Sequence, residues 1–205
     1  MARSTLGYDD PAAPDRYLDS WSRTIDGTAR ESQFVLPMEH VVPTYAMNGT
    51  AVTVATSASH LFALEADGTN YIRVRRIFVA QSDDVPAAAS LLQLQVFRTT
   101  TASLTGTALN PRPFDGADTN PFGGRAVSLP GTKGTEGNML LQGRIYLPTS
   151  AVTANPTTWE WVARPDQKPI IVGPAVTDGI VLKVVTGIAS AAVDYTVEFS
   201  LTTFV

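Results

Sequence analysis

The stretch that decides the fold is near the C-terminus: "DYTVEFSLTTF", Asp194–Phe204. Apolar residues recur at every second position, with Tyr195, Val197, Phe199 and Leu201 on one face. Thr196, Glu198, Ser200 and Thr202 fall on the other. A period of two is the mark of a half-buried β-strand, because successive side chains of an extended chain point to opposite faces.

Working back from this strand, the same period recurs over most of the chain. "TAVTVAT" (50–56), "HLFALE" (60–65), "YIRVRRIFVAQS" (71–82), "LLQLQVF" (91–97), "MLLQGRIYL" (139–147), "WEWVA" (159–163), "IIV" (170–172) and "IVLKVV" (180–185) all read as strands. In "LLQLQVF" the reading places Leu92, Leu94 and Val96 inward and Gln93 and Gln95 outward. In "MLLQGRIYL" it places Leu141, Ile145 and Leu147 on one face. "DGTN" (67–70) is the strongest hairpin signal. In "YIRVRRIF" the doubled Arg75-Arg76 reverses the phase between Ile72/Val74 and Ile77/Val79, which predicts a β-bulge or a kink. About nine strands, Gly/Pro turns and no sustained helical period predict an all-β fold. The expectation is an antiparallel, jelly-roll-like β-sandwich.

Composition agrees. Of the 205 residues 44% are hydrophobic, enough for one substantial core, and only 17% are charged, against about 25% in an average protein. The net charge of −4 argues against binding nucleic acid by phosphate neutralisation. No cysteine is present, which removes disulfides, thiolate metal sites and cysteine nucleophiles. Met1–Asp10 lacks the apolar core of a signal peptide, and no apolar run approaches the roughly 18 residues that span a bilayer. The expectation is a protein made soluble, with no membrane partner.

Two segments depart from the strand pattern. Residues 1–49 carry 11 of the 34 charged residues and are expected to form an extended N-terminal assembly arm ahead of a sandwich domain at 50–205. Within the arm "PDRYLDSWSR" suits a short helix with Pro14 in its first turn. Tyr8, Tyr17, Leu18, Trp21, Ile25 and Phe34 are spaced apolar anchors for docking on a partner. The second segment, 100–138, is rich in Thr, Gly and Pro and is expected to be one long loop.

Chemistry is sparse. The chain holds two histidines, His40 and His60, and no G-x-S-x-G elbow. "DGADTN" (115–120) lacks the spacing of an EF-hand and suits an Asx-rich turn. "GTKGTEG" (131–137) lacks phosphate-loop spacing and suits a flexible turn. "RVRR" (73–76) suits a solvated strand face, and Trp159 and Trp161 of "WEW" suit core filling over a ligand platform. "NGT" (48–50) matches a glycosylation sequon by pattern alone. No catalytic residue, cofactor site or metal site is predicted, so the expectation is a non-enzymatic protein.

"YIRVRRIFVAQS", "LQLQVFRTTTASLTGTALNPRPFDGADTNP", "GRIYLPTSAVTANPTTWEWVARPDQKPIIVGP" and the closing strand together resemble small structural proteins of tailed-bacteriophage virions. The likeness runs from about Leu61 to Val205. It implies a jelly-roll-like sandwich that decorates (cements) the outside of a capsid, often as a trimer, with the major capsid protein as partner. Proteins of similar texture sit on tails or collars, which implies the alternative of a receptor- or carbohydrate-binding role. A hydrolase is a third class. It would place His40 or His60 in a cleft with carboxylates, whereas a carbohydrate binder would expose the tryptophans or line a groove with them.

Overall fold

A computed structural model of the chain describes residues 43–103, 105–116, 122–149, 157–164 and 167–202 in full, and residues 4–7, 17–25 and 28–33 as strand backbone. The chain divides into two compact units, Met1–Val41 and Val42–Val205. Every described element is a strand.

The first unit is not the extended arm expected from sequence. Strands β1 (Ser4–Gly7), β2 (Tyr17–Ile25) and β3 (Thr28–Gln33) pair antiparallel in the order β1-β2-β3. The described part of "PDRYLDSWSR" is therefore strand and not helix. The two-residue spacer between β2 and β3 is Asp26-Gly27, a dipeptide that favours tight hairpins.

The second unit starts earlier than the expected boundary at residue 50. Strand β4 (Thr44–Thr53) already buries Tyr45 and Met47. Its alternation is legible from Thr44, but Asn48 and Gly49 interrupt the apolar series midway. The remaining strands are β5 (His60–Glu65), β6 (Tyr71–Gln81), β7 (Ser90–Thr99), β8 (Thr107–Ala108), β9 (Arg112–Pro113), β10 (Arg125–Ser128), β11 (Glu136–Leu147), β12 (Thr158–Val162), β13 (Ile170–Val172), β14 (Gly179–Val184) and β15 (Ala192–Thr202). They form two antiparallel sheets. The first runs β12-β6-β15-β4-β9, with β13 also on β6, and the second runs β11-β7-β14-β5-β10-β8. The two sheets make a β-sandwich.

The core lies between the sheets, and period two builds it. Tyr195, Val197, Phe199 and Leu201 of β15 are buried, as are Leu92, Leu94 and Val96 of β7 and Ile145 and Leu147 of β11. Each such aliphatic or aromatic side chain contributes on the order of 1.5–3 kcal/mol by burial. The bulge in β6 is real, and it does more than kink the strand. Glu198 pairs with Arg76 and Phe199 with Val74, which leaves Arg75 as the extra residue. The extra residue restores the phase, so Ile72, Val74, Ile77 and Val79 all reach the same core and are fully buried.

The segment 100–138 is not a structureless loop. It supplies β8, β9, β10 and the start of β11. It also sends Phe122 into the core, 5.2 Å from Phe199 and 6.3 Å from Tyr45 between ring centroids.

Candidate functional site

Strand β5, "HLFALE", is buried at all six positions, whereas a one-faced strand would alternate. The register with β14 slips once: Leu182 pairs with Phe62 and Lys183 with His60, so Leu61 is the extra residue. Phe62 and Leu64 join the main core, while Ala63 forms a separate small cluster with Val127 and Val181. Phe97 of β7 packs against this second cluster, and the residues flanking β7 and β11 bond to one another. Thr100 N–H donates to the Thr135 carbonyl at 3.1 Å, Thr135 N–H to Thr101 Oγ1 at 2.7 Å, and Gly134 N–H to Ser103 Oγ at 3.1 Å.

Side-chain ties beside these bonds use ionisable groups, and the main one joins β5, β11 and β14. His60 Nε2 donates to Glu136 Oε1 at 2.9 Å, and Lys183 Nζ donates to Glu136 Oε2 at 2.7 Å. Lys133 Nζ reaches the Ala58 carbonyl at 2.5 Å. Ser103 N–H donates to the Glu65 carboxylate. Burial lowers the pKa of His60 below its ordinary 6.5; the bond to Glu136 opposes this, and Lys133 and Lys183 reinforce it. Burial raises Glu65, with the Ser103 hydrogen bonds and Arg125 pulling the other way. For Glu136 burial works upward, but the hydrogen bonds from Lys183 and His60 outweigh it and hold the carboxyl below its usual range.

His60 with Glu136 has the shape of a base held by an orienting carboxylate. The other ring nitrogen decides what the pair does here. His60 Nδ1 is buried with no hydrogen-bond partner, and the side chain has no solvent-exposed surface. In this arrangement the pair ties β5 to β11. A consequence is testable. A folded-state pKa below 6.5 makes the His60 contribution complete above about pH 6.5 and lost as pH falls through that value towards the folded pKa. Glu65 has the opposite sign, since its raised pKa relieves the cost of a buried carboxylate as pH falls. His60→Gln keeps a donor for Glu136 and cannot titrate. Between about pH 7.5 and pH 5.5 the urea midpoint of the wild type should fall further than that of His60→Gln. Parallel curves would show that His60 is not buried neutral.

The other motifs resolve as follows. Arg76 of "RVRR" pairs with Glu160 at 2.6 Å and Glu198 at 2.8 Å and lies 5.2 Å from the Phe78 ring centroid, while Arg75 Nε donates to Ser200 Oγ. The face is a paired network more than a bare solvated one. Trp159 and Trp161 are half-buried and pack against the core. Trp159 lies on Gly143, where a Cβ would come 2.1 Å from its indole nitrogen. Trp161, with Glu160, Val162, Arg164 and Gln167, lines an open groove of about 730 Å³. Asn48 of "NGT" accepts from Thr196 Oγ1 at 2.9 Å. Of "DGADTN" only Asp115 and Gly116 fall among the described residues, and among those residues no group of His, Asp or Glu is arranged to hold a metal.

Of the expected docking anchors, Tyr8 and Phe34 lie outside the described residues. Tyr17, Leu18, Trp21 and Ile25 all lie in β2. Sequence reasoning missed Glu65, Glu136 and Lys183. The unbroken apolar run Leu61–Leu64 within "HLFALE" was the available signal, since a strand apolar on both faces is buried on both and its polar ends then need partners.

No protein family, curated protein or solved structure matches this chain.

Proposed function

We propose that this chain is a non-enzymatic structural protein of a tailed-phage virion, a jelly roll that binds and stabilises the outer capsid surface as a decoration protein. The major capsid protein is its partner and copies assemble as a homotrimer. The observation that carries the reading is nested pairing. First strand pairs with last and so on inward: β4 with β15, β5 with β14, β6 with β12, β7 with β11. That nesting across two sheets supports the jelly-roll reading, an architecture of viral capsid and lectin domains. A fold alone does not assign function; two further features support this one. The ionisable cluster at His60 is spent on holding the sandwich together. A separate small sheet unit precedes the sandwich and offers a module for docking.

The groove at Trp161 favours a second reading, a tail or collar protein with a carbohydrate-binding role, since an indole beside a carboxylate, an amide and a guanidinium suits a sugar. One experiment separates the two. An antibody against the sandwich, imaged by electron microscopy on purified particles, should label the shell at many sites. Label confined to the tail or collar would favour the second reading, and particles without label or peptide would reject both.

A further inference from the structure

The outer face of the second sheet carries a strip of four directly opposed pairs at its β11–β7 edge. They are Met139/Phe97, Gln142/Gln95, Arg144/Gln93 and Tyr146/Leu91. Opposed residues share a face, and the intervening Leu92, Leu94, Ile145 and Leu147 are buried, so these pairs face outward. Leu91, Met139 and Tyr146 are 59%, 51% and 50% exposed. They are three of the six large exposed apolar side chains among the described residues. Single exposed apolar residues are ordinary, but these three stand at the two ends of one strip. Between them are amides, with Gln95 Nε2 3.4 Å from Gln142 Oε1, and one charge, Arg144. The strip has no carboxylate. Beyond it, β11 has no strand partner on its far side among the described residues, and such edges invite association.

We infer that this strip is a two-fold contact between copies of the chain. Its order, apolar then amide then Arg/amide then apolar, reads nearly the same from either end. A two-fold axis at the Gly143/Leu94 pair sets Tyr146/Leu91 of one copy on Met139/Phe97 of the other. It sets each Arg144 on Gln142 and Gln95, so neither arginine meets its own kind. This charge pattern fits a second copy better than an acidic partner, which would find one cation in four rows, since Lys183, opposite Gln95 on β14 and over the Phe97 ring, is already bound to Glu136. At 3.3–3.4 Å per residue the strip is about 20 Å long and two strands wide. That is a few hundred Å² per copy, against the roughly 800 Å² of a standard interface. The contact is therefore weak in solution and gains from high local concentration. A two-fold contact cannot close a ring of three. On a particle, a placement that rests on the decoration reading, it joins copies of neighbouring trimers.

Sedimentation velocity on the purified full chain, from about 10 μM to about 1 mM, tests the contact without any particle. The wild-type sedimentation coefficient should climb above its dilute-limit value as concentration rises. Tyr146→Glu and Met139→Lys should each abolish the climb while circular dichroism melting stays unchanged. An equimolar mixture of the two variants should restore it, because each mixed pair has one charge-paired row and one native row. The inference is overturned if the wild type shows no climb, if either folded variant climbs like the wild type, or if the mixture does not recover. Loss of this contact would leave antibody labelling of the shell intact. Loss of shell labelling would leave the self-association intact.

Discussion

Deleting residues 1–49 should unfold the sandwich, whereas deleting residues 1–41 should leave its melting temperature within about 3 °C of the full chain's. The eight residues between the two cuts make the difference. They include Thr44–Gly49 of β4, which pair with Tyr195–Ser200 of β15. They also include Tyr45 and Met47, 0% and 1% exposed. Tyr45 stacks on Phe199 at 5.6 Å between centroids. Losing a large core side chain costs about 2–5 kcal/mol. Two such losses together with half a strand's hydrogen bonds approach the whole stability of a domain, about 5–15 kcal/mol. The cut after Val41 falls between the two compact units and removes no sandwich strand. Under the proposed function this shorter deletion should also abolish incorporation into particles, since the three-stranded unit is then the docking module. Thermal melts of the two truncations decide the boundary. A folded 50–205 fragment would show that β4 is dispensable, and an unfolded 42–205 fragment would show that the first unit belongs to the sandwich core.

Phe199→Ala is expected to cost about 3–5 kcal/mol. Phe199 is fully buried and sits where the bulge of β6 meets β15. Its ring touches Tyr45 from β4 and Phe122 from the segment leading into β10, and each aromatic pair adds about 0.5–1.5 kcal/mol beyond the buried area. Truncation therefore opens a void among three distant segments that cannot all move in to fill it. Guanidinium unfolding should show a midpoint shifted strongly downward with an unchanged slope. A change under about 1 kcal/mol would falsify the placement of Phe199 at the centre of the core.

The strands of the sandwich were legible in the amino-acid order because burial on one face imposes a period of two that local sequence must obey. "DYTVEFSLTTF" sorted its own residues into inside and outside, and Arg75-Arg76 marked the bulge as a break in that period. Three things needed the tertiary structure. The start of β4 was hidden because Asn48 and Gly49 interrupt the alternation, and Gly49 is there to admit the Tyr195 ring, whose nearest atom would stand 2.3 Å from a Cβ. The strand character of 100–138 was hidden because β8, β9 and β10 are two to four residues long and gain stability from the sheets they join. The His60–Glu136–Lys183 tie joins residues 76 and 47 positions apart, and no local pattern encodes such a meeting. A period records which side of a strand is dry. What buries the other side of β5, and which charged groups meet beside it, depends on where distant segments pack.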